Sequence, residues 1–132
     1  MTALLPSAAP DLRLPRWVGD GSALQALVDS LRGVERLAVD TEFHAERRYL
    51  PELMLVQIAS PDGRCWVLDA RALDLRPLAP LLREVEWVAH GASQDVLLLH
   101  ERVGERPRVL WDTQVMAAFL GFDYPLRLDL PA

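Results

Sequence analysis

Between Arg36 and Ala70 the chain carries three strand-like runs in quick succession: "RLAVDTEF" (36–43), "ELMLVQIAS" (52–60) and "RCWVLDA" (64–70). Their branched and aromatic residues suit a pleated sheet, and "PDG" (61–63) reads as a tight turn between the second and third. The three together predict a meander. Afterwards the rhythm changes to alternation of helix and strand. "LRPLAPLLREV" (75–85) reads as a short helix with Pro77 in its first turn, and "EWVAHG" (86–91) as a strand. "ASQDVLLLHERVG" (92–104) reads as a helix closed by Gly104, and "RVLW" (108–111) as a fifth strand. "DTQVMAAFLG" (112–121) is a helix capped by Asp112 and stopped by Gly121. Ahead of the meander, Leu24, Leu27, Val28 and Leu31 are spaced as one helical face, with Asp20 or Ser22 as the cap and Gly33 beyond the end.

This order predicts an α/β domain with a mixed five-stranded sheet and helices on its faces. Right-handed crossovers leave few topologies, and in open sheets of this kind ligands gather outside the carboxyl ends of the strands. A chain of 132 residues holds one core, so residues 1–132 are read as one domain, with roughly the first 14 flexible. No apolar run approaches the roughly 18 residues of a membrane span, and the opening lacks the pattern of a signal peptide, so a cytoplasmic protein is expected. Cys65 is the only cysteine, which excludes an intrachain disulfide and a cysteine-rich zinc cluster; it is expected to fill the core. The net charge of −5 argues against a polyanionic partner, but all 14 basic residues are arginine, which suits phosphate contact.

The first run, expected to be buried on both faces, ends in Asp40 and Glu42. Residues two apart share a face of a strand, so the two carboxylates point the same way. Two such carboxylates repel each other and are costly to desolvate, so solvent, arginine partners or a divalent cation must hold them ionised. Arg47 and Arg48 are near in sequence; Mg²⁺ or Mn²⁺ is the alternative, since both prefer hard oxygen ligands. Asp95 falls in the first turn of the helix after "VAHG", where it complements the positive helix end. A strand beside the meander would also bring it towards Asp40 and Glu42.

These blocks resemble the ribonuclease D-type 3′–5′ exonucleases of the DEDD superfamily. "VDTEFHAERRYLPELMLVQIAS" resembles their first motif region, "WVAHGASQDVLLLHERVG" the second, and "LWDTQVMAAFLGFDYPLRLDL" the stretch that follows. The resemblance implies a ribonuclease H-like fold and two-metal hydrolysis at the 3′ end of RNA or DNA. Asp40, Glu42 and Asp95 match the first three acidic ligands. Asp40 would bridge two ions, Glu42 would hold the one beside the attacking water, and Asp95 the other. Thr41, through its backbone, and Phe43, by stacking, would contact the terminal nucleotide, and His44 could touch substrate.

The family's fourth acid lies in a Tyr-x-x-x-Asp motif, and none occurs after Asp95; Tyr124 is followed four positions on by Leu128. The expectation is therefore a domain without its C-terminal helices, weakly active or inactive, with an apolar sheet face open to self-association or a partner chain. The rival reading is a catalytically silent nucleic-acid-binding or protein-interaction module on the same fold. Arg47, Arg48 and Tyr49 could meet phosphate or pair on the surface. His90 is expected to be a hydrogen-bonded structural residue, Asp112 a helix cap, Asp69 and Asp74 solvated loop residues, and Tyr124 a loop or packing residue.

Overall fold

The computed structural model describes residues 14–46, 49 and 51–125. Arg47, Arg48 and residues 1–13, most of the stretch expected to be flexible, lie outside the described residues. A six-stranded sheet is built from β1 (Arg16–Val18), β2 (Arg36–His44), β3 (Glu52–Ala59), β4 (Cys65–Asp69), β5 (Glu86–Ala89) and β6 (Leu110–Asp112). The helices are α1 (Gly21–Ser30), α2 (Ala79–Glu84), α3 (Ser93–Val103) and α4 (Thr113–Phe119), with a 3-10 turn at Arg76–Leu78 leading into α2.

Strand order is β1-β4-β3-β2-β5-β6. The predicted meander is β2–β3–β4, antiparallel throughout, while β1, β5 and β6 join in parallel. The sixth strand is β1, which pairs Arg16 with Trp66 and Val18 with Leu68. With only three residues at a sheet edge it has too little pattern to be read before its pairing is known.

Local signals set most boundaries. Asp20 caps α1 by accepting the Ala23 N–H at 2.8 Å. Gly104 ends α3 at φ +88, a left-handed conformation that glycine adopts without a Cβ clash.

One continuous core lies on one face of the sheet. Leu37 and Val39 of β2, Val56 and Ile58 of β3, Trp66 and Leu68 of β4 and Trp87 of β5 pack there against Leu24, Leu27 and Leu31 near α1, Leu82 of α2, and Leu98 and Leu99 of α3. The expectation that β2 is buried on both faces is wrong. Its pattern alternates: Leu37, Val39 and Thr41 are buried, while Ala38, Asp40 and Glu42 are exposed. Among the described residues, the opposite sheet face stays open. Cys65 correspondingly is half-buried in the wall of a groove on that face instead of filling the core.

Candidate active site

The open face carries a groove of about 540 Å³ whose lining includes Ala38, Asp40, Gln57, Ala59, Cys65, Val67, Val88, His90 and Thr113. Most of these are the outward-facing residues of adjacent strands. Asp40 projects into this groove beside Gln57, its directly paired neighbour on β3. Gln57 was not singled out from the sequence; the signal was a lone polar residue in the otherwise apolar run "LMLVQIA". A larger cavity, about 900 Å³, opens where β2 and β5 begin, between Glu35 and Glu86. It mixes Arg32, Arg76 and Arg108 with Glu35, Glu84 and Glu86 and shares no residue with the acid-bearing groove.

A bulge between Glu42 and Phe43 breaks the alternation of β2. Phe43, which strict alternation would bury, is exposed beyond it like its neighbours Glu42 and His44, offering 41% of its surface. Among the described residues, no ion pair engages Asp40 or Glu42.

Parallel pairing of β5 with β2 places Ala38 level with Val88, so the chain leaves β5 beside Asp40 and turns into α3. This delivers Asp95 to Thr41. The Thr41 N–H donates to Asp95 Oδ1 at 3.1 Å, and the Thr41 hydroxyl donates to the same oxygen. The Thr41 N–H, expected from the resemblance to belong to a backbone that contacts the nucleotide, is thus engaged by Asp95 in the fold. Asp95 Oδ2 carries no such bond, and no buried side-chain polar atom among the described residues lacks a partner, so Oδ2 reaches the surface.

The second motif thus meets the first, at the residue between Asp40 and Glu42. It does not form a finished cage: among the described residues, no three histidine, cysteine, aspartate or glutamate side chains stand close enough together to hold a metal ion. Thr41 points to the core side of β2 and takes Asp95 with it, while Asp40 and Glu42 point to the open side. The chemistry of the three donors still fits a hard divalent cation. All are carboxylates, two are unpaired among the described residues, and the third keeps one oxygen open.

Burial pushes the Asp95 carboxyl above the ordinary range, and the charge of Asp40 adds to this; the Thr41 hydroxyl and amide oppose it without cancelling it. Asp112 shows the reverse balance. Burial would raise it, but amide donors from Ala92, Gly91, Gln114 and Val115 outweigh burial and hold it low. As expected, Asp112 caps its helix. With four amides on its carboxylate it is not an available metal ligand.

The signs separate in pH. Asp95 keeps its proton in the fold at pH values where the unfolded chain, near 3.8, has lost it, so its contribution to stability is present below 3.8 and lost as pH rises through the raised value. Asp112 contributes stability that is present above 3.8 and lost as pH falls through its lowered value. Asp95→Asn, which retains an acceptor for Thr41, is therefore expected to raise the thermal midpoint of the metal-free protein at pH 7, with the advantage closing as pH falls towards 4. Melts across that range in chelator check this, and a pH-independent difference would contradict it.

The remaining sequence candidates are placed as follows. His90 Nδ1 lies 2.8 Å from the Thr113 hydroxyl, which also donates to Ala89 O at 3.3 Å, in keeping with a structural role. Asp74 is not merely solvated: the Arg76 guanidinium grips it and, with the Arg76 amide, lowers its carboxyl to about 2. Asp69 accepts the amides of Arg71 and Ala72, holding the turn after β4. Tyr124 is an exposed loop residue and Tyr49 is fully exposed.

The sequence pattern of the 3′–5′ exonuclease family matches residues 15–129. The chain belongs to that family. Within it, this exonuclease domain is similar to ribonuclease D of Gluconacetobacter diazotrophicus, 44% identical over 110 residues that cover 80% of this chain and 28% of the relative. The crystal structure of Escherichia coli ribonuclease D, an exoribonuclease involved in structured RNA processing, superposes with a TM-score of 0.79 at 30% identity, covering 87% of this chain and 31% of that one. Ribonuclease D of Trypanosoma brucei in complex with RNA U12 superposes with a TM-score of 0.69 at 26% identity, covering 80% of this chain and 40% of that one. The exonuclease domain described here thus spans about a third of the length of such relatives. Its ribonuclease H-like α/β fold of the DEDD type is as expected, with one strand more than predicted. No described helix is long and apolar enough to cross a membrane.

Proposed function

We propose that this domain hydrolyses phosphodiester bonds at the 3′ end of a single-stranded nucleic acid, using divalent cations, Mg²⁺ or Mn²⁺, held by Asp40, Glu42 and Asp95. The observation that carries this reading is the Thr41–Asp95 contact, which links the two acid-bearing motifs at the carboxyl end of β2. Asp40 and Glu42 would hold cations from the open side, with the Asp95 oxygen not bonded to Thr41 as the third donor. When bound, the cations would supply an activated water and neutralise charge on the leaving oxygen. Phe43, exposed beyond the bulge, stacks on the terminal base, and His44 lies within reach of the same nucleotide.

RNA is the favoured substrate because a structural neighbour was captured with RNA. A cytoplasmic location is proposed alongside that substrate. Turnover by these 132 residues alone is expected to be slow, since they contain no Tyr-x-x-x-Asp to orient the attacking water.

A second reading is favoured by the open apolar surface. The groove has apolar walls, and Met116, Phe119 and Leu120 at α4 are exposed. That surface suits a silent binding module whose bare face is covered by a second copy or a partner chain. One assay separates the two readings. A 3′-labelled RNA and a matching single-stranded DNA are incubated with the protein in Mg²⁺, Mn²⁺ or chelator. Metal-dependent shortening supports the exonuclease, whereas binding with no shortening in any condition supports the module.

A further inference from the structure

Asp112 caps α4, yet half of its bonds belong to another part of the chain. Its Oδ1 accepts the Gln114 N–H of its own helix at 3.0 Å and also the Gly91 N–H at 2.9 Å. Its Oδ2 accepts the Ala92 N–H at 2.8 Å. Gly91 and Ala92 form the turn leading into α3, some 20 residues earlier, and Ala92 at the helix start has no side-chain acceptor of its own. The turn is pressed against α4: Gly91 sits at φ +64, and a Cβ there would stand 3.0 Å from Gln114 Oε1. Thr113, the next residue, ties back to Ala89 and His90. Three residues beyond Ala92 is Asp95, one turn into the helix and fastened at its far side to Thr41.

A helix cap alone requires bonds to the residues that follow it. Bonds from both oxygens to a turn elsewhere fix that turn as well, and with it the phase at which α3 starts. We propose that Asp112 is a positioning residue for Asp95: it fixes the turn before α3 so that Asp95 keeps Oδ1 on Thr41 and presents Oδ2 to the acid rim. With all its bonds going to amides, it acts through Asp95 and not on the cation. This inference rests on the metal-binding reading above but can be tested apart from it.

Asp112→Asn leaves one turn or cap amide facing an NH₂ donor whichever way the side chain lies. Asp112→Ser retains a helix-capping oxygen but cannot serve both sides. Residues that orient metal ligands cost about 10–100-fold in metal affinity when replaced, so both variants are expected to weaken Mn²⁺ binding by at least about 10-fold in calorimetric titration. In an Asp95→Asn background the same replacements are expected to change Mn²⁺ affinity by less than about two-fold, because the group they act through is gone. An equal loss in both backgrounds overturns the proposal, since a general loosening of the fold would act in either.

Hydrogen exchange gives a readout without metal. The Thr41 amide, bonded to Asp95, is expected to exchange at least about 10-fold faster in Asp112→Asn, while the Ala70 amide, bonded to Met54 O at 3.0 Å, keeps its wild-type rate. Unchanged Thr41 exchange overturns the proposal. If wild-type protein binds no Mn²⁺, the metal reading fails, and exchange at Thr41 alone decides whether Asp112 positions Asp95.

Discussion

Asp40→Asn is expected to reduce metal-dependent shortening of a 3′-labelled RNA by about 1,000-fold, near 4 kcal/mol on the barrier, with little change in stability. The two halves of this expectation have separate grounds. Asp40 is exposed on the open face and unpaired among the described residues, so the fold does not depend on it. Substitutions at such positions usually stay within about 0.5 kcal/mol. The amide keeps the shape and removes the charge, which is what the proposed divalent cation would recognise at this position. Rates at matched Mn²⁺ concentrations, with a thermal melt of the same preparation, check both halves. A variant that retains the wild-type rate would remove Asp40 from the chemistry. A large fall in melting temperature would instead mean that the open face is a structural surface.

Trp87→Ala is expected to produce the largest loss of stability, about 4 kcal/mol, lowering the thermal midpoint by on the order of 15 °C. Trp87 is completely buried on the packed side of β5, and its Nε1–H donates to Leu82 O at 2.9 Å, tying the strand to α2. Truncation removes the largest fully buried side chain and leaves that carbonyl without its donor. Total stabilities of domains run at about 5–15 kcal/mol, so the variant would forfeit a large share. Trp17 is the control: 61% exposed on an edge strand, it is expected to tolerate alanine within about 1 kcal/mol. Urea melts of the two variants beside the wild type decide the comparison, and similar losses from both would place the core wrongly.

Much of this architecture is legible in the sequence, because its signals are local. Asp20 bounds its helix through its side-chain acceptor, and Gly104 and Gly121 theirs through the left-handed backbone that glycine favours. The meander was legible from three apolar runs and a turn, and Asp95 from its distance to the end of a strand. Errors arose where the outcome depends on distant neighbours. Ala38 made β2 look apolar on both faces, although Asp40 and Glu42 continue its side of the alternation and face solvent. The β1 strand exists because β4 pairs with it. The grip of Asp112 on Gly91 and Ala92 could not be read because a capping signal concerns only the three residues that follow it. The acids were recognised individually, but their arrangement depended on Thr41, whose hydroxyl and amide both turn to Asp95.

A sheet packed, among the described residues, on one side only divides the labour of mutation. Changes at Leu37, Val39 or Ile58 alter the persistence of the scaffold, whereas changes at Ala38, Gln57 or Val88 meet whatever the scaffold handles. Because the two sets alternate along the same strands, neighbouring positions answer to different physical demands. One surface can be reshaped while the packing beneath it stays as it is.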